Sequence, residues 1–197
     1  MKDAETQGHG VSDRVAYWLG VIKDKTPEEI AGLIADCEHR ATRDKLTGLI
    51  NKDEFTEQFK GFVDGANRRG SEVYVFFLDF DDLKKTNDQL GHKEGDRLLK
   101  DGALILKSVF RSNDLLGRLH GDEFAAAIEV KKNGIKQDEP EYITQRIVSA
   151  LATGGISISI GISKYESGSD LDDLLSKAGK NMRIDKTDRR AGRDFLK

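Results

Sequence analysis

The chain has 197 residues, a formal net charge of −3, and 34% charged against 37% hydrophobic residues. That is enough for one domain with a short extension, and the slightly negative balance argues against wrapping bulk nucleic acid. The single cysteine, Cys37, excludes an internal disulfide and fits a reducing compartment. The polar N-terminus Met1-Lys2-Asp3-Ala4-Glu5 is not a signal peptide. No apolar run approaches the ~20 residues that span a bilayer, so the expectation is a soluble, cytoplasmic protein with no membrane partner.

Residues 1–10 are polar. Ser12 can cap a helix in which Val15, Trp18, Leu19 and Ile22 follow helical spacing, with Trp18 as packing. Thr26-Pro27-Glu28-Glu29 is a capping box with proline at the first helical position, and Ile30, Leu33, Ile34 and Cys37 repeat the spacing. Residues 1–40 therefore read as a helical extension. Its apolar stripes either pack on the following domain or serve dimerisation and signal relay. Residues 41–197 form the main domain. Asn51 caps a helix through Phe55, Phe59, Phe62 and Val63, ended by Arg68-Arg69-Gly70-Ser71. Val73–Leu78 is an aromatic-rich strand that runs into Asp79-Phe80-Asp81-Asp82. Lys84–Gln89 reads as a short helix or turn, and Gly91–Asp96 introduces a longer helix with Leu98, Leu99, Ala103, Leu106 and Phe110 inward. Apolar runs on either side of His120-Gly121-Asp122-Glu123 read as strands joined by a tight turn. A charged loop, a helix through Tyr142, Ile143, Ile147 and Leu151, an alternating strand at 155–162 and a last helix from Leu171 to about Lys186 complete the chain. Hairpin-joined strands among interleaved helices favour an α+β sheet with antiparallel pairs over a doubly wound parallel one.

Two acidic clusters carry the chemistry. Adjacent acids at a hairpin are usually a solvated turn. A second cluster at the end of a buried strand changes that balance, because it sets ligands on a rigid element. If strand and hairpin are neighbours, Asp79, Asp122 and Glu123 converge, and hard oxygen donors of this kind suit Mg2+.

Three stretches, Asp44-Lys45-Leu46-Thr47-Gly48-Leu49-Ile50-Asn51, Asp79 to Asp96, and Gly121-Asp122-Glu123-Phe124, in this order, resemble the GGDEF domain of diguanylate cyclases over roughly residues 41 to 197. The resemblance implies a palm-like nucleotidyl-cyclase fold, a central mostly antiparallel sheet flanked by helices. It implies a diguanylate cyclase that condenses two GTP into cyclic di-GMP and two pyrophosphates across a homodimer, with Mg2+ or Mn2+ as cofactor. By the same resemblance Asp79, Asp122, Glu123 and the Phe80 carbonyl hold metal. Asp122, Glu123 and Lys84 are the catalytic residues, Lys84 stabilising transition-state charge. Asp122 also stands at the position credited with 3′-hydroxyl deprotonation. A carboxylate beside Mg2+ is a poor base, so activation by metal is the more natural account.

By the same resemblance, substrate contacts come from Gly121 and from the backbone of Phe80, Asp81, Asp82, Leu83 and Lys84, where a helix N-terminus attracts phosphate. Lys186 and Arg190 match a basic pair over the β- and γ-phosphates. Asn87 and Asp96 match the guanine readers, an amide and a carboxylate that adenine cannot satisfy. Arg111 and Asp114 match an inhibitory product site that binds cyclic di-GMP. The family's first hairpin glycine is His120 here, which at positive φ would cost ~1–2 kcal/mol. Gly179 and Arg183 also depart from the family's usual residues. The alternative reading is a catalytically impaired domain that binds GTP or cyclic di-GMP and signals through contacts.

Overall fold

The computed structural model describes the backbone of residues 11–132, 134–136 and 139–194, and the side chains of these apart from 11, 12, 14 and 183–194. The chain divides into two units, Met1–Ala41 and Thr42–Lys197.

The first unit holds α1 (Val11–Ile22) and most of α2 (Pro27–Thr42). The capping box forms: the Thr26 N–H donates to Glu29 Oε2 at 2.7 Å, and the Glu29 N–H donates to Thr26 Oγ1 at 3.3 Å. Trp18 is 44% exposed, and its ring stands 5.6 Å from that of Tyr17 in a T-shaped arrangement.

The second unit is a four-stranded antiparallel sheet in the order β2-β3-β1-β4. Its strands are β1 (Glu72–Phe80), β2 (Leu115–His120), β3 (Glu123–Val130) and β4 (Ile158–Lys164). The helices are α3 (Lys52–Arg68), α4 (Leu83–Leu90), α5 (His92–Val109), α6 (Pro140–Thr153) and α7 (Leu171–Asp194). The sheet alternates as a strand period of two requires. Phe76, Leu78, Phe80, Phe124 and Ala126 face α5 and α6 through Leu99, Leu106, Ile143 and Ile147. Val73, Val75, Ala125 and Ala127 face α3 and α7 through Phe55, Phe59, Val63 and Leu174. Asn51 caps α3 as expected, its Oδ1 accepting the Glu54 N–H at 2.9 Å. The last helix runs further than Lys186, to Asp194.

Two glycines let helices approach the sheet. A Cβ on Gly102 would enter the Phe80 ring, and one on Gly161 would strike the Ala178 carbonyl. The first seats α5 under the end of β1; the second seats α7 on β4.

Candidate functional site at the end of the central strand

Strand β1 is paired on both sides, so its C-terminal end is fixed by two neighbours. Asp79 lies directly opposite Glu123 on β3. The Phe80 N–H donates to the Asp122 carbonyl at 3.1 Å, which makes Asp79 and Glu123 a non-hydrogen-bonded pair, the arrangement in which facing side chains are closest. Both continue the face of Val75 and Ala125, under α3 and α7. Like charges opposed on a sheet repel, so this pairing is a natural seat for a cation. The turn residue Asp122 precedes Glu123 and is half-buried, with its carbonyl taken by the Phe80 N–H. Among the described residues no three His, Cys, Asp or Glu side chains gather into a cage. Mg2+ commonly takes one or two carboxylates and completes its shell with phosphate and water. Two carboxylates with the Phe80 carbonyl beside them are a donor set of that kind.

The loop after β1 is held by β4. Both oxygens of Asp81 accept serine hydroxyls at 2.7 Å, from Ser157 and from Ser159. The Asp81 N–H donates to the Ser157 carbonyl at 3.0 Å. Asp82 then takes φ 62° and ψ 15°, a left-handed conformation uncommon outside glycine, and α4 begins at Leu83. One expectation is corrected here. The amides of Phe80 and Asp81 are used by the sheet, so the N–H groups that an anion can meet are those from Asp82 to Lys84, which open the helix. Lys84 is exposed in the first turn of α4.

Asn87 and Asp96 lie on adjoining helices. A Cβ on Gly95 would fall on the Asn87 Oδ1 and come within 3.2 Å of Leu83 Cδ1. The absent side chain at 95 thus leaves room for the Asn87 amide. Asp96 is exposed and Asn87 half-buried.

The hairpin is locked from behind by residues to which the sequence reading gives no role. Arg118 donates from Nη1 to both oxygens of Asp44 at 3.0 and 3.2 Å. Its Nε and Nη2 donate to the Gly121 carbonyl at 2.9 and 2.7 Å. Asp44 also accepts the N–H and hydroxyl of Thr47 at 2.8 and 2.7 Å. Burial raises the Asp44 pKa, but these bonds from Thr47 and Arg118 outweigh it and hold the carboxyl below its ordinary range.

The expected strain at His120 is absent. The positive φ, 52°, falls on Gly121, and His120 ends β2 as a strand residue. The register of β2 shifts between Arg118 and His120, so a bulge skips Leu119 and sets His120 opposite Glu123. Its Nε2 is 3.1 Å from Glu123 Oε2. A cavity of about 440 Å3 lies on this face, lined by Lys52, His120 and Glu123 and by Asp172, Ser176 and Gly179 of α7. Lys52 is a cation here that sequence reasoning missed. Lys186 and Arg190 lie further along α7, outside the residues whose side chains are described.

Arg111 and Asp114 sit elsewhere, at the entry to β2. They line a second cavity of about 500 Å3 with Arg43, Gln58 and Lys107. The Arg111 N–H donates to Asp114 Oδ2 at 2.8 Å, and the Asp114 N–H returns to the Arg111 carbonyl at 3.0 Å.

An antiparallel α+β domain with carboxylates at the end of its central strand and on the adjoining hairpin is the architecture of a nucleotidyl-cyclase domain. The family model described as diguanylate cyclase, GGDEF domain, matches residues 41–192, and the chain belongs to that family. It is 33% identical to the diguanylate cyclase DgcS of Shewanella oneidensis, over 73% of this chain and 49% of that protein. It is equally 33% identical to the cyclic di-GMP phosphodiesterase NbdA of Pseudomonas aeruginosa, over 74% of this chain and 19% of that protein. The chain thus spans less than half of each of these two relatives. A solved sensory box/GGDEF family protein from Caulobacter crescentus superposes with a TM-score of 0.67 at 27% identity, over 75% of this chain and 99% of that one. Among the described residues no helix is long and apolar enough to cross a membrane.

Proposed function

We propose that the chain is a diguanylate cyclase that joins two GTP molecules into cyclic di-GMP with release of two pyrophosphates. The observation that carries this reading is the facing of Asp79 and Glu123 beside the start of α4. In each half-reaction the 3′-oxygen of one GTP bonds to the α-phosphorus of the other. The bond from that phosphorus to the bridging oxygen of pyrophosphate breaks, and the hydroxyl proton leaves to solvent. Mg2+ or Mn2+ held by Asp79, Glu123, the Phe80 carbonyl and Asp122 would supply charge stabilisation at the attacking and leaving oxygens. The amides of Asp82 to Lys84 receive phosphate oxygens, and Lys84 offsets charge on the departing group. Asn87 and Asp96 read guanine through an amide and a carboxylate. Lys186 and Arg190 hold the β- and γ-phosphates. Gly121, at positive φ, lets the hairpin backbone approach the nucleotide.

One domain holds one GTP, so two copies must face each other. Arg111 and Asp114 form a separate site for the product, where guanidinium and carboxylate meet phosphate and guanine.

A second reading is favoured by one observation. His120 already engages Glu123 at 3.1 Å, which would suit a domain that binds GTP or cyclic di-GMP without turnover. One assay separates the two: incubation with GTP, ATP and Mg2+ over a dilution series of protein, with chromatography of the products. The cyclase reading expects cyclic di-GMP, unconsumed ATP and a specific activity that rises with protein concentration. No cyclic dinucleotide at any concentration leaves the binding module.

A further inference from the structure

The family's motif spells Gly-Gly-Asp-Glu-Phe, and this chain reads His120-Gly121-Asp122-Glu123-Phe124. The bulge at Leu119 turns that difference into a side-chain relationship, since without it residue 119 and not 120 would face Glu123. His120 Nε2 and Glu123 Oε2 are 3.1 Å apart, and the imidazole is 68% exposed on the rim of the 440 Å3 cavity. Two donors on adjacent corners of an octahedron, each about 2.1 Å from the ion, stand about 3.0 Å apart. The pair therefore has the spacing of two ligands to one ion. Imidazole suits borderline transition metals, whereas Mg2+ prefers oxygen.

We propose that His120 is a metal donor that acts with Glu123 and shifts the ion preference of this site from Mg2+ towards Mn2+, Co2+ and Zn2+. The inference rests on the reading of Asp79 and Glu123 as metal-binding residues. With the proton on Nδ1, the Nε2 lone pair is available to an ion. Phosphate oxygens and water complete the shell.

The test uses the full chain with Mn2+ and pyrophosphate, a probe without nitrogen. Pulsed electron paramagnetic resonance of bound Mn2+ is expected to show nitrogen-14 coupling from an imidazole in the wild type and none in H120Q. In competition titrations H120Q should lose about tenfold or more in Mn2+ affinity, and less than twofold in Mg2+ affinity. H120G, which restores the family's glycine, should behave as H120Q. Bound Mn2+ without nitrogen coupling in the wild type overturns the proposal, as does an equal loss of affinity for both ions. E123Q separates the two levels of inference. If E123Q loses Mn2+ while the wild type shows no nitrogen coupling, Glu123 keeps its role and His120 has none. If E123Q binds Mn2+ as the wild type does, the metal-binding role of Glu123 fails and the His120 proposal with it.

Discussion

Arg118 bridges Asp44 and the Gly121 carbonyl, so one guanidinium ties the segment before α3 to the tip of the acidic hairpin. Only 12% of its side chain is exposed, against 23% for Asp44. Removing one member leaves the other half-buried and charged, a loss that typically costs about 2–4 kcal/mol. R118A is expected to lower stability to urea by that amount. R118K keeps the charge without the fork and should recover less than half of it. An R118A midpoint equal to wild type would show that the bridge holds nothing.

The same carboxylate sets a pH dependence. The folded Asp44 pKa lies below its ordinary value, because the bonds from Thr47 and Arg118 outweigh the burial that raises it. Glu129 is lowered by the Arg69 hydrogen bond and Glu72 by the Lys164 hydrogen bond. A carboxyl shifted this way contributes stability in full above its unfolded pKa, ~3.9 for aspartate, and loses it as pH falls through the folded value. The stability gap between wild type and D44N should be constant from pH 7 to about 5 and narrow below about 4. Urea midpoints at matched pH measure it, and a gap that stays constant down to pH 3 contradicts the assignment.

The pattern of strands, the Asn51 cap and the acidic hairpin were legible in the sequence because each is a local signal: alternation, a capping side chain, a glycine turn. The Asp81 clamp was not, because Ser157 and Ser159 arrive from 76 and 78 residues away. Nor was the bulge at Leu119. A register shift depends on how β2 meets β3, and the residues around Leu119 read equally well in either register. That is why a positive φ at His120 stayed open in the sequence, when it falls on Gly121 and Asp82. Arg118 looked like any strand residue flanking a turn, and only the fold brings Asp44 to it.

The clamp itself predicts a kinetic signature. Ser157 and Ser159 hold the loop whose amides are proposed to meet phosphate, and neither is assigned a substrate contact. The double variant S157A/S159A removes two hydrogen bonds to the Asp81 carboxylate. Stability should fall by about 2–4 kcal/mol, and KM for GTP should rise at least fivefold. S157T/S159T retains both hydroxyls and should restore KM. A KM unchanged in S157A/S159A would mean that the loop is set by β1 alone.

Gly95 predicts a change in base reading. A Cβ there collides with the Asn87 amide, so G95A must push that side chain off its place. Alanine also favours the helix by about 1 kcal/mol, so G95A should bind GTP at least tenfold more weakly without a matching loss of stability. Fluorescent GTP titration and thermal unfolding measured together check this. Wild-type affinity in G95A would place guanine recognition away from Asn87.

Arg111 tests the second cavity. Its backbone and the Asp114 side chain close a tight turn at the start of β2, and the cavity they line is flanked by Arg43 and Lys107. Three basic residues around one carboxylate suit a dianionic ligand that also presents a guanine edge, as the cyclic product does. The Arg111 N–H bond to Asp114 is made by the backbone, so R111A keeps the turn and removes only the guanidinium. The concentration of cyclic di-GMP that halves the initial rate should rise tenfold or more in R111A, each protein being referred to its own rate without product. Arg43 and Lys107 remain in the variant, so weak residual inhibition is expected and should fade with salt. Equal inhibition of wild type and R111A would mean that product acts by competing with GTP at the end of β1.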